Sequence, residues 1–234
     1  MRHKLSSIAQ KMHLPTLCVL CRQFHKDNMA VCKDCIAFFP TLTHGCSLCA
    51  YPLPQSHHPI CGHCIKNPPW FNQTITMYPF IEPLRGLLHR FKYKNGLYLS
   101  SFFGQLILNG WQKRQTPLPQ CFIPVPMHPK KIRTRGFNQT VLLARFLSRQ
   151  LHIPYYLDLC QKTIHTQPQM ELDKRKRASN MQQAFRVNPQ HHTHIALIDD
   201  LLTTGNTANQ LAKQFKQAGA QTVEVWCSAR AINS

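Results

Sequence analysis

The spacing of apolar residues predicts strands and helices that alternate along most of the chain. Apolar and polar residues take turns in QTITMYPF, residues 73–80, which is typical of a strand, whereas apolar residues recur at helical spacing in 82–96. The same criteria predict strands at 121–126, 155–160, 195–199 and 222–227, and helices through Leu84, Leu87, Leu88 and Phe91, through Leu99, Phe102, Phe103 and Leu106, over 136–151, and through Leu211 and Phe215. This alternation predicts an α/β fold with a doubly wound, mostly parallel sheet.

The first 70 residues follow a different pattern, which is set by cysteine. Four CxxC pairs are separated by 10, 10 and 11 residues: Cys18 and Cys21, Cys32 and Cys35, Cys46 and Cys49, and Cys61 and Cys64. Two CxxC turns can close a tetrahedral four-cysteine site, whose metal replaces the core that so short a segment cannot build. We therefore predict a zinc-ribbon domain over 1–70 with about two zinc ions, and a second domain over 71–234. Sharing of an ion between neighbouring pairs and a cross-braced arrangement both fit the spacing.

Composition narrows the setting and the class of partner. Lys and Arg number 28 against 9 Asp and Glu, a formal net charge of +19, and a field of this sign attracts phosphates of nucleic acids, nucleotides or anionic lipids. No secretory signal is recognised at the start, and no run approaches the roughly 18 apolar residues of a membrane span. Eleven cysteines in such a chain favour a reducing compartment, so we predict a cytoplasmic location. The isolated Cys121, Cys160 and Cys227 are predicted to be core residues.

Two adjacent acids in IALIDDLLTTGNT are the strongest candidate for chemistry. Asp199 and Asp200 follow an apolar run, and Thr203, Thr204, Gly205, Asn206 and Thr207 then offer backbone N–H groups and hydroxyls at the start of a helix, which suits a phosphate. Carboxylates beside a phosphate suit the hydroxyls of a ribose or its hydrated Mg²⁺. The structural alternative is an acidic N-cap on an ordinary helix.

This motif resembles the phosphoribosyl-pyrophosphate (PRPP) motif of the type I phosphoribosyltransferases. The resemblance implies a phosphoribosyltransferase-like α/β fold in which Asp199 and Asp200 face the ribose hydroxyls and Thr203 to Thr207 hold the 5′-phosphate. Enzymes acting on 6-oxopurines carry an Asp where this chain has Thr203, so no carboxylate stands there to assist such a base.

Five motifs in one order resemble the ComF family, also called ComFC or GntX-like proteins. They are the cysteine pairs, LHRFKYKNG, PVPMHPKKIRTRGFNQT, TQPQMELDKRKRASNMQQAF and the PRPP motif. The resemblance implies a protein of natural transformation that helps single-stranded DNA enter the cytoplasm, in partnership with a ComFA-type helicase and other transformation proteins. It also implies that the ligand is PRPP or ribose 5-phosphate, with magnesium.

The same resemblance suggests where the pyrophosphate would be held. The loop with Met127, His128, Lys130 and Lys131 follows a predicted strand, as the pyrophosphate loop does in this fold. Lys174 and Arg175 lie in the segment that corresponds to the mobile loop over the site, so the predicted catalytic residues are Asp199, Asp200, Lys174 and Arg175. The RGFNQ element, residues 135–139, is either functional or simply a turn with a helix cap.

Basic residues interleaved with aromatic ones predict a contact for single-stranded DNA. In HRFKYK, Phe91 lies on the apolar stripe, whereas Tyr93 is free to stack on a base while its neighbours contact phosphate. The predicted DNA contacts are Arg90, Lys92, Tyr93, Lys94, Lys130, Lys131, Arg133 and Arg135. A solvated charged face is the alternative interpretation.

Three functions fit these residues. The first is a competence protein that binds PRPP and single-stranded DNA. The second is a phosphoribosyltransferase of nucleotide salvage whose acceptor the sequence does not identify. The third is a PRPP-sensing regulator without turnover, because one fold hosts many functions.

Overall fold

The structure is a computed structural model that describes residues 15–54, 58–162 and 185–232. In chain order its elements are β1 (Thr16–Leu17), β2 (Phe24–His25), α1 (Lys33–Ala37), α2 (Gly62–Lys66), β3 (Gln73–Ile75), α3 (Leu84–Tyr93), a 3₁₀ helix (Gly96–Leu99), α4 (Ser100–Arg114), β4 (Cys121–Pro124), α5 (Pro129–Arg135), α6 (Gln139–Leu151), β5 (Cys160–Lys162), β6 (Phe185–Val187), β7 (His194–Leu202), α7 (Asn206–Gln217) and β8 (Thr222–Arg230).

A four-stranded parallel sheet in the order β3-β8-β7-β4 forms the centre of the fold. Side chains alternate across it: Ile195 and Leu197 of β7 pack on the side of α7, and Ala196 and Ile198 pack on the side of α3, α4 and α6. With helices on both faces, residues 195–198 of β7 are buried on both sides of the strand, which explains its continuous apolar run. The predicted α/β fold with a mostly parallel sheet is confirmed.

The helix α3 shows how the apolar pattern sets the packing. Its apolar stripe, Leu84, Leu87, Leu88 and Phe91, is buried, whereas Tyr93 at its end is exposed. Phe91 stacks on Phe103 of α4 with ring centroids 5.1 Å apart. The stripe therefore turns Arg85 and Arg90 toward solvent, as predicted, whereas Lys92 is half-buried.

Two local predictions differ from the structure. The strand predicted at 155–160 is absent: Tyr155 makes only an isolated bridge to Phe122 of β4, and the strand β5 begins at Cys160 and pairs antiparallel with β6 outside the central sheet. Pro154 precedes this bridge and has no N–H to continue a ladder. The helix α5 lies where a loop was expected, because Pro129 occupies its first turn and His128 Nδ1 accepts the Lys130 N–H at 3.2 Å.

The cysteine-rich segment is divided between the two faces of the sheet. Cys18 and Cys32 belong to the core shared with α3 and α4. In this core the ring centroids of Phe39 and Phe102 lie 5.8 Å apart. The last four cysteines of the segment share the core on the α7 side with Phe71. Residues on both sides of the boundary predicted at residue 70 thus contribute to the same two apolar cores. Among the helices of the described ranges, none is both long and apolar enough to cross a bilayer.

Candidate functional site

The acid pair lies at the carboxyl edge of the central sheet, within β7. Asp200 is buried on the α3 side, where its Oδ2 lies 2.8 Å from Lys92 Nζ. Asp199 comes on the opposite side of the strand, in register with Cys227 of β8, and its Oδ1 accepts the Asp200 backbone N–H at 2.8 Å. Carboxyl ends of parallel strands are where open α/β sheets bind ligands. The two acids therefore lie where a ligand could bind, and Lys92 lies at the same place because it pairs with Asp200.

The position of Asp199 at the sheet edge raises the pKa of its carboxyl group. Removal from water is the largest cause that raises the pKa of Asp199, to about 8, and the adjacent charge of Asp200 adds to it. The ion pair with Lys92 belongs to Asp200 and acts only weakly on its neighbour. The two acids thus have different environments although they are adjacent in sequence.

The loop that follows β7 leads directly into a helix N-terminus. Gly205 has φ 80°, a left-handed conformation that a side chain disfavours, and it precedes α7 with no side-chain cap. No acidic residue stands in the first turn of this 12-residue helix, and Thr203, Thr204 and Asn206 are exposed. Backbone N–H groups and the helix dipole at such an end favour an anion. The predicted phosphate loop therefore leads into a helix N-terminus of the kind that favours an anion. The alternative of an acidic N-cap is wrong, because the N-cap residue is Gly205.

A basic pocket of about 470 Å³ lies beside the acid pair. It is lined by Lys92, Tyr93, Asn95, Lys130, Lys131, Thr134, Arg135 and Phe137. The Arg135 guanidinium stacks over the Tyr93 ring at 4.9 Å and donates from Nη1 to Gln139 Oε1 at 2.6 Å, so its position is fixed from two sides. With lysines from α3 and α5 and no carboxylate in its lining, the pocket favours an anionic group. Lys92 lines this pocket and also pairs with Asp200.

The predicted basic residues divide between this pocket and the surface. Lys130, Lys131 and Arg135 line the pocket, whereas Arg90 and Lys94 are exposed at the end of α3 and Arg133 is exposed on α5. Met127 and His128 lie half-buried between β4 and α5. Lys174 and Arg175 lie outside the described residues.

The RGFNQ element forms a turn between two helices. Gly136 ends α5 with φ 82°, and Asn138 caps α6 by accepting the Thr140 N–H at 3.2 Å. The Thr140 hydroxyl donates to Val125 O at 2.8 Å, which ties the cap to the end of β4. The interpretation as a turn and helix cap therefore describes its geometry, and the turn also directs Arg135 toward the pocket.

Two basic residues at the site were not found from the sequence. Lys162 ends β5, and its pKa is lowered by burial first and by the charge of Lys131, a residue of the pocket lining, second. Arg230 ends β8 and donates to backbone carbonyls around the phosphate loop. A charged residue that terminates a buried apolar strand, as in TVEVWCSAR, is the signal that could have indicated Arg230.

Two four-cysteine clusters have the geometry of tetrahedral metal sites. The first contains Cys18, Cys21, Cys32 and Cys35, the second Cys46, Cys49, Cys61 and Cys64, and within each the sulfur atoms lie within 4.8 Å of one another. A zinc ion with bonds of about 2.3 Å to four sulfurs separates them by about 3.8 Å. The Sγ atoms of Cys18 and Cys35 are 3.8 Å apart, and those of Cys49 and Cys61 are 3.7 Å apart. Neighbouring CxxC pairs thus share a site, and the cross-braced alternative is excluded.

The electrostatics of the thiols also fit a cation. Burial acts to raise the pKa of Cys18, but backbone N–H groups outweigh it and lower the value to about 6; the same balance lowers the pKa of Cys46 to about 7. Burial and neighbouring sulfurs raise the pKa of Cys35 and Cys64. Without a cation the four thiols of a cluster resist simultaneous ionisation, so the donor set fits a bound metal. In contrast, Cys121, Cys160 and Cys227 are buried core residues, as predicted, and burial raises the pKa of each to about 12.

Comparison with known proteins places the chain in a family. A parallel sheet that carries an acid pair and a helix N-terminus at its carboxyl edge, combined with two four-cysteine clusters, defines an α/β protein with a candidate ligand site and two candidate metal sites. DNA utilization protein YhgH of Shigella flexneri is 32% identical over 225 residues, which cover 94% of this chain and 99% of that protein. Competence protein F of Haemophilus influenzae is 32% identical over 226 residues, which cover 92% of this chain and 96% of that protein. The chain belongs to the ComF family, which includes these proteins.

More distant comparisons carry less information. Competence protein ComFC of Bacillus subtilis is 26% identical over 225 residues, covering 87% of this chain and 90% of that protein. Among solved structures, glutamine PRPP amidotransferase of B. subtilis has a TM-score of 0.40 at 14% identity and covers 60% of this chain and 30% of its own. Purine phosphoribosyltransferase of Pyrococcus horikoshii has a TM-score of 0.33 at 15% identity and covers 56% and 70%. Similarity at these TM-scores carries no argument about ligand or chemistry. No family model matches the chain.

The raised pKa of Asp199 predicts a pH-dependent effect of Asp199→Asn. Between about pH 4 and pH 8 the folded chain holds a proton on Asp199 that the unfolded chain releases, so rising pH lowers the unfolding free energy of the wild type. Asn is neutral throughout, so the stability of the wild type relative to Asp199→Asn should fall as the pH rises through this window. Urea denaturation at several pH values measures the difference. A difference that does not change with pH would contradict the assignment.

Proposed function

We propose that this protein binds Mg–PRPP at the carboxyl edge of its sheet and handles single-stranded DNA during uptake into the cytoplasm. The names of its relatives, a DNA utilization protein and two competence proteins, support the role in DNA uptake. The observation that carries the ligand is the arrangement of three parts: the acid pair, the helix N-terminus after Gly205, and the basic pocket that Lys92 joins to Asp200.

Each part of PRPP has a chemical counterpart in this arrangement. Asp199 and Asp200 can accept hydrogen bonds from the two ribose hydroxyls, and the N–H groups at 203–207 suit the 5′-phosphate. The basic pocket suits the pyrophosphate, which carries most of the negative charge. Magnesium that arrives with PRPP would neutralise part of that charge. We therefore assign the pocket to the pyrophosphate.

Lys92 has a central part in this proposal. Its ammonium lies 2.8 Å from Asp200 Oδ2 and lines the pocket at the same time, with a side chain that is 19% exposed. A lysine in this position compensates the buried charge of Asp200 before the ligand arrives and can attract the pyrophosphate afterwards. Lys92 therefore belongs to the PRPP site in this proposal. The residues proposed to contact DNA are its neighbours Arg90, Tyr93 and Lys94.

The exposed end of α3 suits single-stranded DNA. Tyr93 is 64% exposed, and Arg90 and Lys94 are one helical turn apart on the surface beside it. An aromatic ring flanked by cations is the combination that binds single strands without strong sequence preference. The proximity of Tyr93 to the basic pocket would bring the DNA and PRPP sites side by side.

We assign zinc to both cysteine clusters. All-thiolate tetrahedral sites select zinc or iron–sulfur chemistry, and the CxxC spacing with N–H bonds to sulfur, such as Cys61 N to Cys46 Sγ at 3.3 Å, is typical of structural zinc. Such an ion would stabilise the segment in place of a larger hydrophobic core. The site forms only in the folded chain, so the free energy of metal binding adds to the free energy of folding.

Replacement of the acids should weaken PRPP binding. Asp199→Asn and Asp200→Asn each remove a carboxyl group that can accept from the ribose hydroxyls and ligate the metal, so the affinity for Mg–PRPP should fall at least about tenfold in each. Isothermal calorimetry measures the affinity, and circular dichroism verifies the fold. Asp158→Asn, an exposed acid on the loop before β5, is the control and should bind as the wild type does. Unchanged affinity in both site variants would contradict the assignment.

Elemental analysis should find about two zinc ions per chain, one for each four-cysteine cluster. Cys35→Ser and Cys64→Ser remove one ligand from the first and the second cluster, and each variant should lose about one ion. A metal-free preparation with the thermal stability of the metal-bound protein would refute a structural role for zinc.

The salt dependence of DNA binding should separate charge from stacking. The double change Arg90→Ala and Lys94→Ala should reduce the slope of log affinity against log salt by about 1.4, because each single-strand phosphate contact contributes roughly 0.7. Tyr93→Ala should lose roughly 1 to 3 kcal/mol with little change in slope. Filter binding at several salt concentrations measures both.

The matched control for this experiment is a pair of exposed arginines on α6. Arg145 and Arg149 have the same spacing of four residues as Arg90 and Lys94. Their replacement by Ala should leave the slope unchanged if DNA follows the end of α3. Equal slopes in the two double variants would exclude this path.

A further inference from the structure

We propose that the second cysteine cluster, Cys46, Cys49, Cys61 and Cys64, positions the phosphate loop through Arg230, so that metal at this cluster and not at the first controls ligand binding. The proposal rests on the proposed function only for the ligand; the mechanical connection between cluster and loop stands apart from it. Arg230 is a positioning residue in this scheme.

The Arg230 guanidinium joins two segments that are distant in sequence. Its Nε donates to Cys49 O at 2.8 Å, while Nη1 donates to Leu202 O at 3.0 Å and to Thr203 O at 2.5 Å. Cys49 is a residue of the cluster, and Thr203 is the first residue of the phosphate loop. One planar cation therefore connects the metal ligand set with the loop directly.

Burial makes this connection stiff. Arg230 is 8% exposed, and the described residues provide it with no carboxylate partner, so backbone carbonyls supply its compensation. The Tyr51 ring covers the guanidinium at 5.4 Å, and Tyr51 O in turn accepts the Cys46 N–H at 2.8 Å. A buried arginine stays charged, so displacement of any of these carbonyls leaves an expensive unpaired donor. The position of Cys49, set by the metal, is therefore transmitted to Thr203.

A second contact path runs through the chain that leaves the cluster. After α2, which carries Cys64, the Trp70 N–H donates to Asn209 Oδ1 in the first turn of α7 at 2.5 Å. Phe71 packs against Gly205, since a Cβ there would lie 3.8 Å from the Phe71 ring. The cluster thus supports both ends of the loop, at Thr203 and at the start of α7.

The first cluster supplies an internal control. Its buried members Cys18 and Cys32 pack on the opposite face of the sheet, with Phe39 and the residues of α4. The two clusters have the same four ligands and the same sulfur geometry but differ in their neighbours. Loss of metal from the first should therefore leave the phosphate loop in place.

Hydrogen–deuterium exchange of the full-length, metal-bound protein tests the connection without any ligand. In Cys64→Ser and in Arg230→Gln, amides of 203–209 should exchange about tenfold faster, the effect of a lost hydrogen bond to a charged group. The amides of 195–198 in the strand interior should keep their protection, which global destabilisation would not allow. Cys35→Ser and the exposed Arg145→Gln should leave 203–209 unchanged. Arg230→Lys keeps the charge without the planar fork, so its exchange rates at 203–209 should lie between those of the wild type and those of Arg230→Gln.

Calorimetry with Mg–PRPP and metal analysis complete the test. Arg230→Gln should retain both metal ions and bind Mg–PRPP about tenfold more weakly. If the wild type binds no PRPP, the proposed function fails, while the exchange data still decide the connection.

Unchanged exchange at 203–209 in both Cys64→Ser and Arg230→Gln would overturn the proposal, and so would equal loosening in Cys35→Ser. If circular dichroism shows that Cys64→Ser or Arg230→Gln does not fold, Arg230→Lys decides, and wild-type exchange at 203–209 in that variant would again overturn the proposal.

Discussion

The parallel pairing of β7 with β8 is the interaction on which the rest of the structure depends. It extends along the full length of both strands and brings three features of the proposed site to the same edge: the acid pair, the start of the predicted phosphate loop and Arg230. At the other end, buried Glu224 of β8 accepts from Gln73 Nε2 of β3 at 2.7 Å and pairs with His194 Nε2 of β7 at 3.1 Å. This carboxylate connects three strands and fixes their relative position. A shift in the pairing would move the acids and the loop, which follow one another on β7, away from the arginine on β8 that supports the loop.

Charge acts at two ranges in this protein. The net charge of +19 attracts phosphates from a distance, but salt screens such attraction beyond about 8 to 10 Å. At the proposed site the groups are half-buried or buried, so screening is weaker: Asp199 with its raised pKa, Asp200 paired with Lys92, and Arg230 among carbonyls. In the proposed function the excess of surface cations would recruit nucleic acid, whereas these few shielded groups would supply the geometry that a sugar phosphate requires.

The two cysteine clusters have the same chemistry but different mechanical consequences. The first adds to the core beside α3 and α4, and the second adds to the core beside α7 and contacts the loop through Arg230. A cysteine-rich segment predicted as a domain of its own thus contributes to both faces of the α/β sheet. In the proposed function, this arrangement makes one metal site a structural support and the other a part of the ligand site.

Local patterns in the sequence determined the elements and the candidate chemistry, because helix and strand periodicity and the reach of a CxxC turn depend only on neighbouring residues. The stripe of α3, the apolar run before Asp199 and the four cysteine pairs were all predictable in this way. The tertiary structure alone decided three features: which cysteine pairs form one cluster, the ion pair of Lys92 with Asp200, and the contact of Arg230 with Cys49, 181 residues away. The strand wrongly predicted at 155–160 has the same origin, since its apolar residues follow a strand pattern but the place beside β4 offers only one bridge. Packing of distant segments selects among partners that local spacing leaves equivalent.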